Sequence, residues 1–305
     1  MAESAAENVR YRLLRLGLAC DAECLFCNVP AESHPGPARL SAEEAGREIE
    51  RLAAEGVKRL ELSGGEPALR PDLERLVARA RAAGFERVQL QTNGIALARP
   101  GRADALRRAG LTDAFVALHS HRSRVHDGLA RRTGAWDACV RAIAGLLAAG
   151  VRVVLNPVVT TIQQSELSAY MDFVARDLAG VESVSLSVVQ PHGRAAAHPR
   201  LVPRYGELSP LVAEALDAAD ARGLRVVNPF CGLPLCVGGW SRRLERCVEW
   251  CESALGREPG GGMKVRPPSC APCVLRARCG GAWPRYLEFH PDHGLSPLAA
   301  AGRTA

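Results

Sequence analysis

The amino-acid sequence predicts an α/β fold: a partial (β/α)6 TIM-like barrel followed by a small cysteine-rich C-terminal domain. Two patterns lead to this prediction. Short apolar segments alternate with amphipathic helices at intervals of roughly 25 to 35 residues, which is typical of parallel strands joined by helices. The 11 cysteines are also unevenly placed, because seven of them lie between residues 231 and 279. The first pattern predicts the barrel, and the second predicts a separate domain.

Six strand–helix units make up the predicted barrel. Since this is too few to close a barrel of eight strands, an open partial barrel fits the count. The first helix has the clearest boundaries: Ser41 is its expected N-cap, Glu44 completes a capping box, and Gly56 follows its last turn. The strands are predicted in "YRLLRLGLA", "RLELSGG", "RVQLQTNG", "AFVALHSH", "VRVVLNPVV" and "SVSLSVVQP", and further helices in "RPDLERLVARARAAG", "WDACVRAIAGLLAAG" and "ELSAYMDFVARDLAG".

The regular alternation ends near residue 196. One more helix is predicted in "RYGELSPLVAEALDAADARG" and a short strand in "LRVVN", after which the chain is rich in Gly, Pro and Cys. A segment with so few periodic apolar residues buries little surface, and bound metal can supply the missing stability. We therefore expect two domains, 9–195 and 196–305.

The composition is that of a globular protein and argues against two classes of partner. The chain is 47% hydrophobic and 24% charged, and its formal charge of +6 is dispersed over helix faces, so no nucleic-acid partner is expected. The sequence contains no signal-peptide pattern and no apolar run of about 18 residues, which predicts a cytoplasmic protein with no membrane span. In that reducing compartment we expect the cysteines to serve metal or redox chemistry rather than disulfides.

The segment "CDAECLFC" places three cysteines directly after the first predicted strand. In parallel α/β proteins the reactive groups lie at the C-terminal ends of the strands, which is this position. The thiolates of Cys20, Cys24 and Cys27 can hold three irons of a [4Fe–4S] cluster and leave the fourth iron open. A structural zinc ion would need a fourth protein ligand, for which His34 is the local candidate. This motif alone leaves both metals open.

The segment "LSGGEP" follows the second predicted strand and therefore lies at the same edge of the sheet. Gly64 and Gly65 allow a ligand to come close to the backbone, and the Glu66 carboxylate suits an ammonium group. The coincidence of this segment with the three cysteines favours the cluster over zinc.

Together these motifs resemble those of the radical S-adenosylmethionine (SAM) superfamily. Its signature is a CxxxCxΦC loop with an aromatic residue before the last cysteine, here Phe26, and the resemblance extends over 9–195. It implies that Cys20, Cys24 and Cys27 bind the [4Fe–4S] cluster and that SAM completes the coordination of the open iron. One electron then cleaves SAM to methionine and a 5′-deoxyadenosyl radical, which abstracts a hydrogen atom from the substrate.

The resemblance also implies further contacts to SAM. Its amino group would be held by the glycines and glutamate of "GGEP", and its carboxylate by Arg131 or Arg132, since arginine suits bidentate binding. No histidine stands out as a catalytic acid or base, so none is assigned. The complete set of expected SAM-binding residues is Gly64, Gly65, Glu66, Thr92, Asn93, Ser120, Arg131 and Asn156.

The segment "CAPCVLRARCGG" contains Cys270, Cys273 and Cys279 and resembles the SPASM and twitch extensions of radical SAM proteins, which hold auxiliary [4Fe–4S] clusters. A full SPASM pattern has another cysteine where this chain has Trp283, which favours one auxiliary cluster over two. We expect Cys236 to be its fourth ligand, because a Pro precedes it and two glycines follow closely.

The other cysteines leave alternatives open. Cys231 is the second choice as fourth ligand of the auxiliary cluster. Cys247 and Cys251 are four residues apart and would share a helical face if this segment is helical, and they could serve a second cluster, a zinc ion or no metal. A structural zinc for the whole tail is the alternative to a cluster. Cys139 is expected to be a buried helix residue.

This architecture resembles enzymes that modify ribosomally synthesised peptides by cross-linking, epimerisation or oxidation. Peptide modification is therefore the predicted function, and an electron donor such as flavodoxin or ferredoxin is the expected partner. Because the first strand is predicted from residue 9, no N-terminal peptide-recognition domain is expected, which leaves open a separate recognition protein or a small-molecule substrate. The alternatives are a radical SAM enzyme that acts on a nucleotide, sugar or antibiotic precursor and, less favoured, a non-catalytic iron–sulfur or zinc scaffold.

Overall fold

The structure, a computed structural model, describes residues 11–29 and 39–299. His34, the alternative zinc ligand, and residue 9, the predicted start of the first domain, lie outside the described residues. Within these ranges, no helix has the length and apolar character needed to cross a membrane.

The described residues form short strands alternating with helices, as predicted. The strands are β1 (Tyr11–Arg15), β2 (Arg59–Ser63), β3 (Arg87–Thr92), β4 (Asp113–Val116), β5 (Arg152–Leu155), β6 (Val158–Val159), β7 (Ser183–Ser185), β8 (Ser187–Val188) and β9 (Val226–Val227). The α-helices are α1 (Ala42–Ala54), α2 (Leu73–Ala82), α3 (Arg102–Ala109), α4 (Ser123–Ala130), α5 (Ala135–Ala148), α6 (Leu167–Asp177), α7 (Tyr205–Ala221), α8 (Val248–Ala254) and α9 (Pro284–Phe289).

The described residues pack into two compact units. The first contains the residues up to Asn156 and Leu178–Glu182, and the second contains Pro157–Asp177 and the residues from Ser183 onward. In the first unit, β1 to β5 are parallel neighbours in sequence order, α1 packs against α2, α2 against α3, and α5 against both α3 and α4. The predicted α/β class with parallel strands is therefore confirmed.

Helix α1 shows how the local sequence fixes an element. The Ser41 hydroxyl accepts a hydrogen bond from the Glu44 amide (3.1 Å), and the Glu44 carboxylate accepts one from the Ser41 amide (2.7 Å). This reciprocal pair satisfies two amides at the start of the helix, which confirms the predicted capping box. Ile49 and Leu52 are buried on one face of the helix.

The central strands of the first unit explain where its core lies. Leu60 and Leu62 of β2 and Leu90 of β3 are completely buried, at alternate positions of their strands. The residues between them are polar, and the Gln91 amide donates to the Glu61 carboxylate at 3.2 Å across the two strands. β2 and β3 are thus apolar on one face and polar on the other.

The second unit contains the remaining strands. β6 pairs with β8 and β7 with β9, both in parallel, and α6 packs against α7. Each of the last two predicted strands is split in two: "VRVVLNPVV" forms β5 and β6, and "SVSLSVVQP" forms β7 and β8. Pro157, between β5 and β6, has no amide hydrogen to donate to a strand ladder, which accounts for the first interruption.

The division between the units does not coincide with the predicted domain boundary near residue 196. Because α6 packs against α7, the last strand–helix unit groups with the chain that follows it. The boundary between 9–195 and 196–305 stays a prediction. In the tail, Val265 and Ala282 form an antiparallel bridge between segments with little regular structure.

Candidate functional site

The cysteine loop after β1 is anchored to helix α4. The amide of Glu23 donates to the Ala130 carbonyl (3.0 Å), and the amide of Leu25 donates to the Leu129 carbonyl (2.9 Å). These carbonyls belong to the last turn of α4, where four carbonyls of any helix need partners outside it. The backbone between the cysteines is therefore held by the end of a helix.

Phe26, the aromatic residue of the motif, anchors the cysteine loop by packing against His119. Its side chain is buried, and its ring meets the His119 ring edge-on with centroids 4.9 Å apart. His119 in turn donates its backbone amide to Nδ1 of His126 at 3.1 Å. Burial lowers the pKa of His126 to about 4, so this imidazole is neutral at pH 7 and can accept the hydrogen bond. The two histidines thus support the aromatic residue of the loop.

The three loop thiols are accessible to a ligand. Cys24 and Cys27 are half-buried, while Cys20 is exposed as a residue. Protein atoms nevertheless surround the Cys20 sulfur closely enough to raise the pKa of its thiol to about 11, an effect opposed by a backbone hydrogen bond from Ala22. A cationic metal centre stabilises the thiolate form that ligation needs. Three thiols on a rigid loop fit a cluster that leaves one iron for another ligand.

Gly64 and Gly65 lie directly against the start of the cysteine loop. Their neighbours leave no space for a side chain, because a Cβ atom on Gly64 would lie 2.1 Å from the Gly17 carbonyl oxygen and one on Gly65 would lie 2.3 Å from that of Ala19. The backbones are also joined, since the amide of Gly65 donates to Gly17 (2.8 Å) and that of Glu66 to Ala19 (2.7 Å). Because Gly64 and Gly65 have no side chains, the backbone of the "GGEP" segment lies directly against the backbone that leads into the cysteine motif.

Glu66 is at the centre of a buried hydrogen-bond network. Its carboxylate accepts hydrogen bonds from the Ala68 amide (2.9 Å), the Thr92 hydroxyl (2.8 Å) and the Asn93 amide (2.7 Å). Burial raises the pKa of Glu66 to about 7, although these hydrogen bonds act in the opposite direction. The structure thus brings together Glu66, Thr92 and Asn93, as their places at the ends of β2 and β3 predict.

Asn93 extends this network to the cysteine loop. Its side-chain amide nitrogen donates to the Asp21 carboxylate (2.7 Å) and lies 3.8 Å from the Cys20 sulfur, while its side-chain oxygen accepts from the Ile95 amide (2.9 Å). The sequence analysis did not select Asp21. Its place between Cys20 and Cys24 in "CDAEC" was the available signal.

Arg70 is a second residue that the sequence did not single out. Its side chain is 6% exposed, and one guanidinium nitrogen donates to the carbonyls of Leu16 (3.0 Å) and Leu40 (2.7 Å), on either side of the cysteine loop. Asp72 accepts two further hydrogen bonds from Arg70, at 3.0 and 2.8 Å. Arg70 therefore joins the segment before the loop to the segment after it.

The other expected SAM-binding residues of the first unit have different surroundings. Ser120 is buried, and its hydroxyl oxygen accepts from the Arg122 amide (3.0 Å). Arg131 is exposed at the end of α4, and its guanidinium lies 3.7 Å from the Glu23 carboxylate. Asn156 follows β5, and its backbone amide donates to the Val116 carbonyl (2.8 Å).

A second group of cysteines lines a cavity in the second unit. The empty space between the residues that line the cavity is about 340 Å³, and this volume includes the part that is open to solvent. Burial, with a smaller contribution from the charges of the other three cysteines, raises the pKa of Cys236 to about 11, and a backbone hydrogen bond from Ser296 acts in the opposite direction. The four cysteines that line this cavity are Cys236, Cys270, Cys273 and Cys279.

Within 11–29 and 39–299, no group of three or more His, Cys, Asp or Glu is placed to hold a single metal ion.

The remaining cysteines lie in three different places. The Cys231 sulfur is 3.1 Å from the Ser187 hydroxyl. Cys247 is fully buried at the N-cap of α8 and Cys251 lies within that helix, so the segment that follows Cys247 is helical. Cys139 is completely buried in α5, which confirms its prediction as a core residue.

Comparison with known sequences identifies relatives. The radical SAM superfamily profile matches residues 14–174. The probable GTP 3′,8-cyclase of Methanopyrus kandleri is 32% identical over 193 residues, which cover 63% of this chain and 60% of that protein. The PqqA peptide cyclase of Ruegeria pomeroyi is 30% identical over 238 residues, 75% of this chain and 62% of that protein. The chain thus spans about three fifths of the length of these relatives.

Comparison with solved structures shows the same fold at low sequence identity. The structure of anSMEcpe with bound AdoMet superposes with a TM-score of 0.63 and 14% identity, covering 94% of this chain and 93% of that one. Streptococcus suis SuiB bound to precursor peptide SuiA gives a TM-score of 0.59 and 16% identity, covering 72% and 49%. These likenesses confirm the predicted partial barrel.

The cysteine loop, the adjoining "GGEP" segment and the sequence match lead to one assignment, and the expectation of an enzyme is confirmed with it. The chain belongs to the radical SAM superfamily, whose enzymes bind a [4Fe–4S] cluster and S-adenosylmethionine.

Proposed function

We propose that this enzyme modifies a ribosomally synthesised peptide and holds an auxiliary [4Fe–4S] cluster in its second unit. The observation that carries the proposal is the convergence of four cysteines on one cavity. The similarity to the PqqA peptide cyclase also supports it, because that match extends over 75% of this chain.

In the first unit, we assign the cluster to Cys20, Cys24 and Cys27. When bound together, the cluster and SAM supply one-electron cleavage of SAM and a radical that removes a hydrogen atom from the substrate. The chain's own residues hold the loop rigid and form the surface beside it. The residues proposed to bind SAM are Gly64, Gly65, Glu66, Thr92, Asn93, Ser120, Arg131 and Asn156.

In the second unit, we assign the auxiliary cluster to Cys236, Cys270, Cys273 and Cys279. Cys236 is preferred to Cys231 as the fourth ligand, because Cys236 shares the cavity while the Cys231 sulfur contacts the Ser187 hydroxyl. The auxiliary cluster would bind the substrate or accept an electron from it. We further propose that the enzyme is cytoplasmic and receives electrons from a flavodoxin or ferredoxin.

A small-molecule substrate is the second candidate. The relative from Methanopyrus kandleri is named as a probable GTP 3′,8-cyclase, and its 32% identity is similar to the 30% of the peptide cyclase. A nucleoside triphosphate is therefore the compound to test beside a peptide.

The test uses anaerobically reconstituted enzyme with SAM and a chemical reductant. The candidate substrates are GTP and any short peptide encoded next to the gene, and the products are followed by mass spectrometry. A peptide of altered mass together with 5′-deoxyadenosine supports the first candidate. A modified nucleotide with an unchanged peptide supports the second candidate and overturns the first.

The auxiliary cluster is tested by iron content. In a variant with Cys20, Cys24 and Cys27 changed to Ala, about four irons per chain are expected to remain. Adding Cys236→Ala should lower this number, whereas the matched change Cys231→Ala should not. A variant with the first three changes that holds no iron would contradict the auxiliary cluster.

A further inference from the structure

Glu249 and Lys264 form an ion pair inside the second unit. Their side chains are 6% and 2% exposed, and the charged atoms are 2.5 Å apart. Removing two charges from water is costly, so a buried pair adds little stability compared with apolar residues of similar size. Stability alone therefore does not explain this pair, and its other contacts show what it does.

Lys264 connects the ion pair to the segment before Cys231. Its ammonium group donates to the Phe230 carbonyl at 2.6 Å. The same group lies 4.9 Å from the centre of the Phe230 ring and 5.2 Å from that of Trp283, both within the range of a cation–π interaction. Lys264 is thus held on several sides, and its ammonium group balances the charge of the Glu249 carboxylate.

Glu249 connects the pair to the loop that carries Cys279. One carboxylate oxygen accepts from Lys264, and the other accepts from the backbone amide of Gly280 at 3.0 Å. This amide directly follows Cys279, a cysteine that lines the cavity. A charged acceptor makes a stronger hydrogen bond than a neutral one, so the contact restrains the backbone next to the sulfur.

The packing at Gly280 shows how closely the loop rests on the carboxylate. A Cβ atom at this position would lie 3.0 Å from a carboxylate oxygen of Glu249 and 2.7 Å from the Cα atom of Gly260. The backbone of Gly280 is therefore confined between the acidic side chain and a second glycine.

We propose that Glu249 is a positioning residue for the auxiliary cluster: it fixes the Cys279 loop through the Gly280 amide, and Lys264 balances its buried charge. This inference rests on the proposed auxiliary cluster. It assigns a role to a carboxylate that lies between Cys247 and Cys251 without requiring either cysteine to bind metal.

Two double variants distinguish the effect of the hydrogen bond between Gly280 and Glu249 from the effect of the ion pair between Glu249 and Lys264. Glu249→Gln with Lys264→Met removes the ion pair but keeps an acceptor for the Gly280 amide. Glu249→Leu with Lys264→Met removes the ion pair and the acceptor, while both variants keep similar volume. Since both lose the same buried charges, their thermal unfolding is expected to be similar, and any difference at Cys279 reports the hydrogen bond.

The first measurement is the alkylation rate of Cys279 in cluster-free protein, followed by peptide mass spectrometry. The rate is expected to rise about fivefold in the leucine variant, which corresponds to the loss of one hydrogen bond, and to stay near the original in the glutamine variant. The buried Cys139 serves as the internal control for intact folding. Equal rates in the two variants, whether slow or fast, would overturn the proposal.

The second measurement is iron release to a chelator, with Cys20, Cys24 and Cys27 changed to Ala so that only auxiliary iron is counted. Faster release in the leucine variant than in the glutamine variant is expected, and equal release would overturn the proposal. If the parent of both variants holds no iron, the auxiliary cluster itself fails. The alkylation rates then still decide whether Glu249 positions the Cys279 loop.

Discussion

Arg131 lies at the end of helix α4 with its guanidinium 3.7 Å from the carboxylate of Glu23, inside the cysteine loop. Its backbone is left-handed, with φ of 51°, a conformation that glycine adopts without strain and arginine does not. Helices commonly end in this conformation, but an arginine there carries a conformational cost. The side chain is therefore placed beside the loop at the expense of stability.

Changing Arg131 to Gly is expected to stabilise the cluster-free protein and weaken SAM binding. Relief of the left-handed backbone contributes about 1 kcal/mol, which chemical denaturation measures. Loss of the guanidinium removes the proposed partner of the SAM carboxylate, so the dissociation constant for SAM should rise about tenfold or more. Arg131→Lys is the control, since it keeps the strain and the charge. Unchanged SAM affinity in the glycine variant would refute the assignment of Arg131.

Changing Asn93 to Ala is expected to loosen the cysteine loop. The side-chain amide donates to the charged Asp21 at 2.7 Å, a contact worth about 1.5 kcal/mol or more. Iron release to a chelator should therefore accelerate severalfold, measured with Cys270 and Cys273 changed to Ala to remove auxiliary iron. Gln89→Ala is the matched control, because that amide donates to Glu61 rather than to the loop. Equal release from both variants would count against the anchoring role.

Glu66 predicts a pH dependence of stability in the cluster-free protein. Burial raises its pKa to about 7 in the folded state, above the ordinary value of 4.5 in the unfolded state. Between these values the folded state binds more protons, so the stability contributed by Glu66 is present below pH 4.5 and is lost as the pH rises through 7. The full difference is on the order of 3 kcal/mol.

The measurement compares urea unfolding of the parent protein and of Glu66→Gln from pH 5 to pH 8. The parent should lose stability relative to the glutamine variant as the pH rises, because the glutamine cannot ionise. Parallel curves over this range would show that the Glu66 carboxyl keeps its ordinary pKa.

Changing Arg70 to Met should destabilise the protein by about 3 kcal/mol, because it removes a buried guanidinium that donates to the half-buried carboxylate of Asp72 and to the carbonyls of Leu16 and Leu40. Arg75→Met is the matched control, since Arg75 is 71% exposed and lies 4.0 Å from the same carboxylate. Its expected effect is below about 1 kcal/mol. Thermal denaturation of both variants distinguishes them, and equal melting temperatures would exclude the role of Arg70.

The sequence alone predicts the five strands and the helices α1, α2 and α5 of the first unit, because each has a local signal, whereas α3 and α4 were missed. The capping box of Ser41 and Glu44 lies within four residues, and the alternation of Leu60 and Leu62 lies within one strand. The splitting of the last two predicted strands was missed. Pro157 was a visible signal for the first interruption, whereas nothing in "SVSLSVVQP" marks the second.

Contacts between distant residues are harder to derive from one sequence. The sequence predicts that Glu66 and Asn93 lie at the same edge of the sheet, because both follow parallel strands. It does not predict that Asn93 donates a hydrogen bond to Asp21. Arg70 donates hydrogen bonds to Leu16 and Leu40, which precede it in the sequence by 54 and 30 positions. No local sequence pattern predicts contacts over such separations. The pairing of Glu249 with Lys264 has the same character.

The close contact of Gly64 and Gly65 with Gly17 and Ala19 limits how this site can be rebuilt. The amides of Gly65 and Glu66 donate hydrogen bonds to the carbonyls of Gly17 and Ala19, just before the cysteine motif, and no side chain fits between the two backbones. A protein engineer who transplants the cysteine motif into a new scaffold would therefore transplant only half of a surface. A working chimaera needs β1, β2 and both of their following loops as one cassette, with the spacing between the strands unchanged.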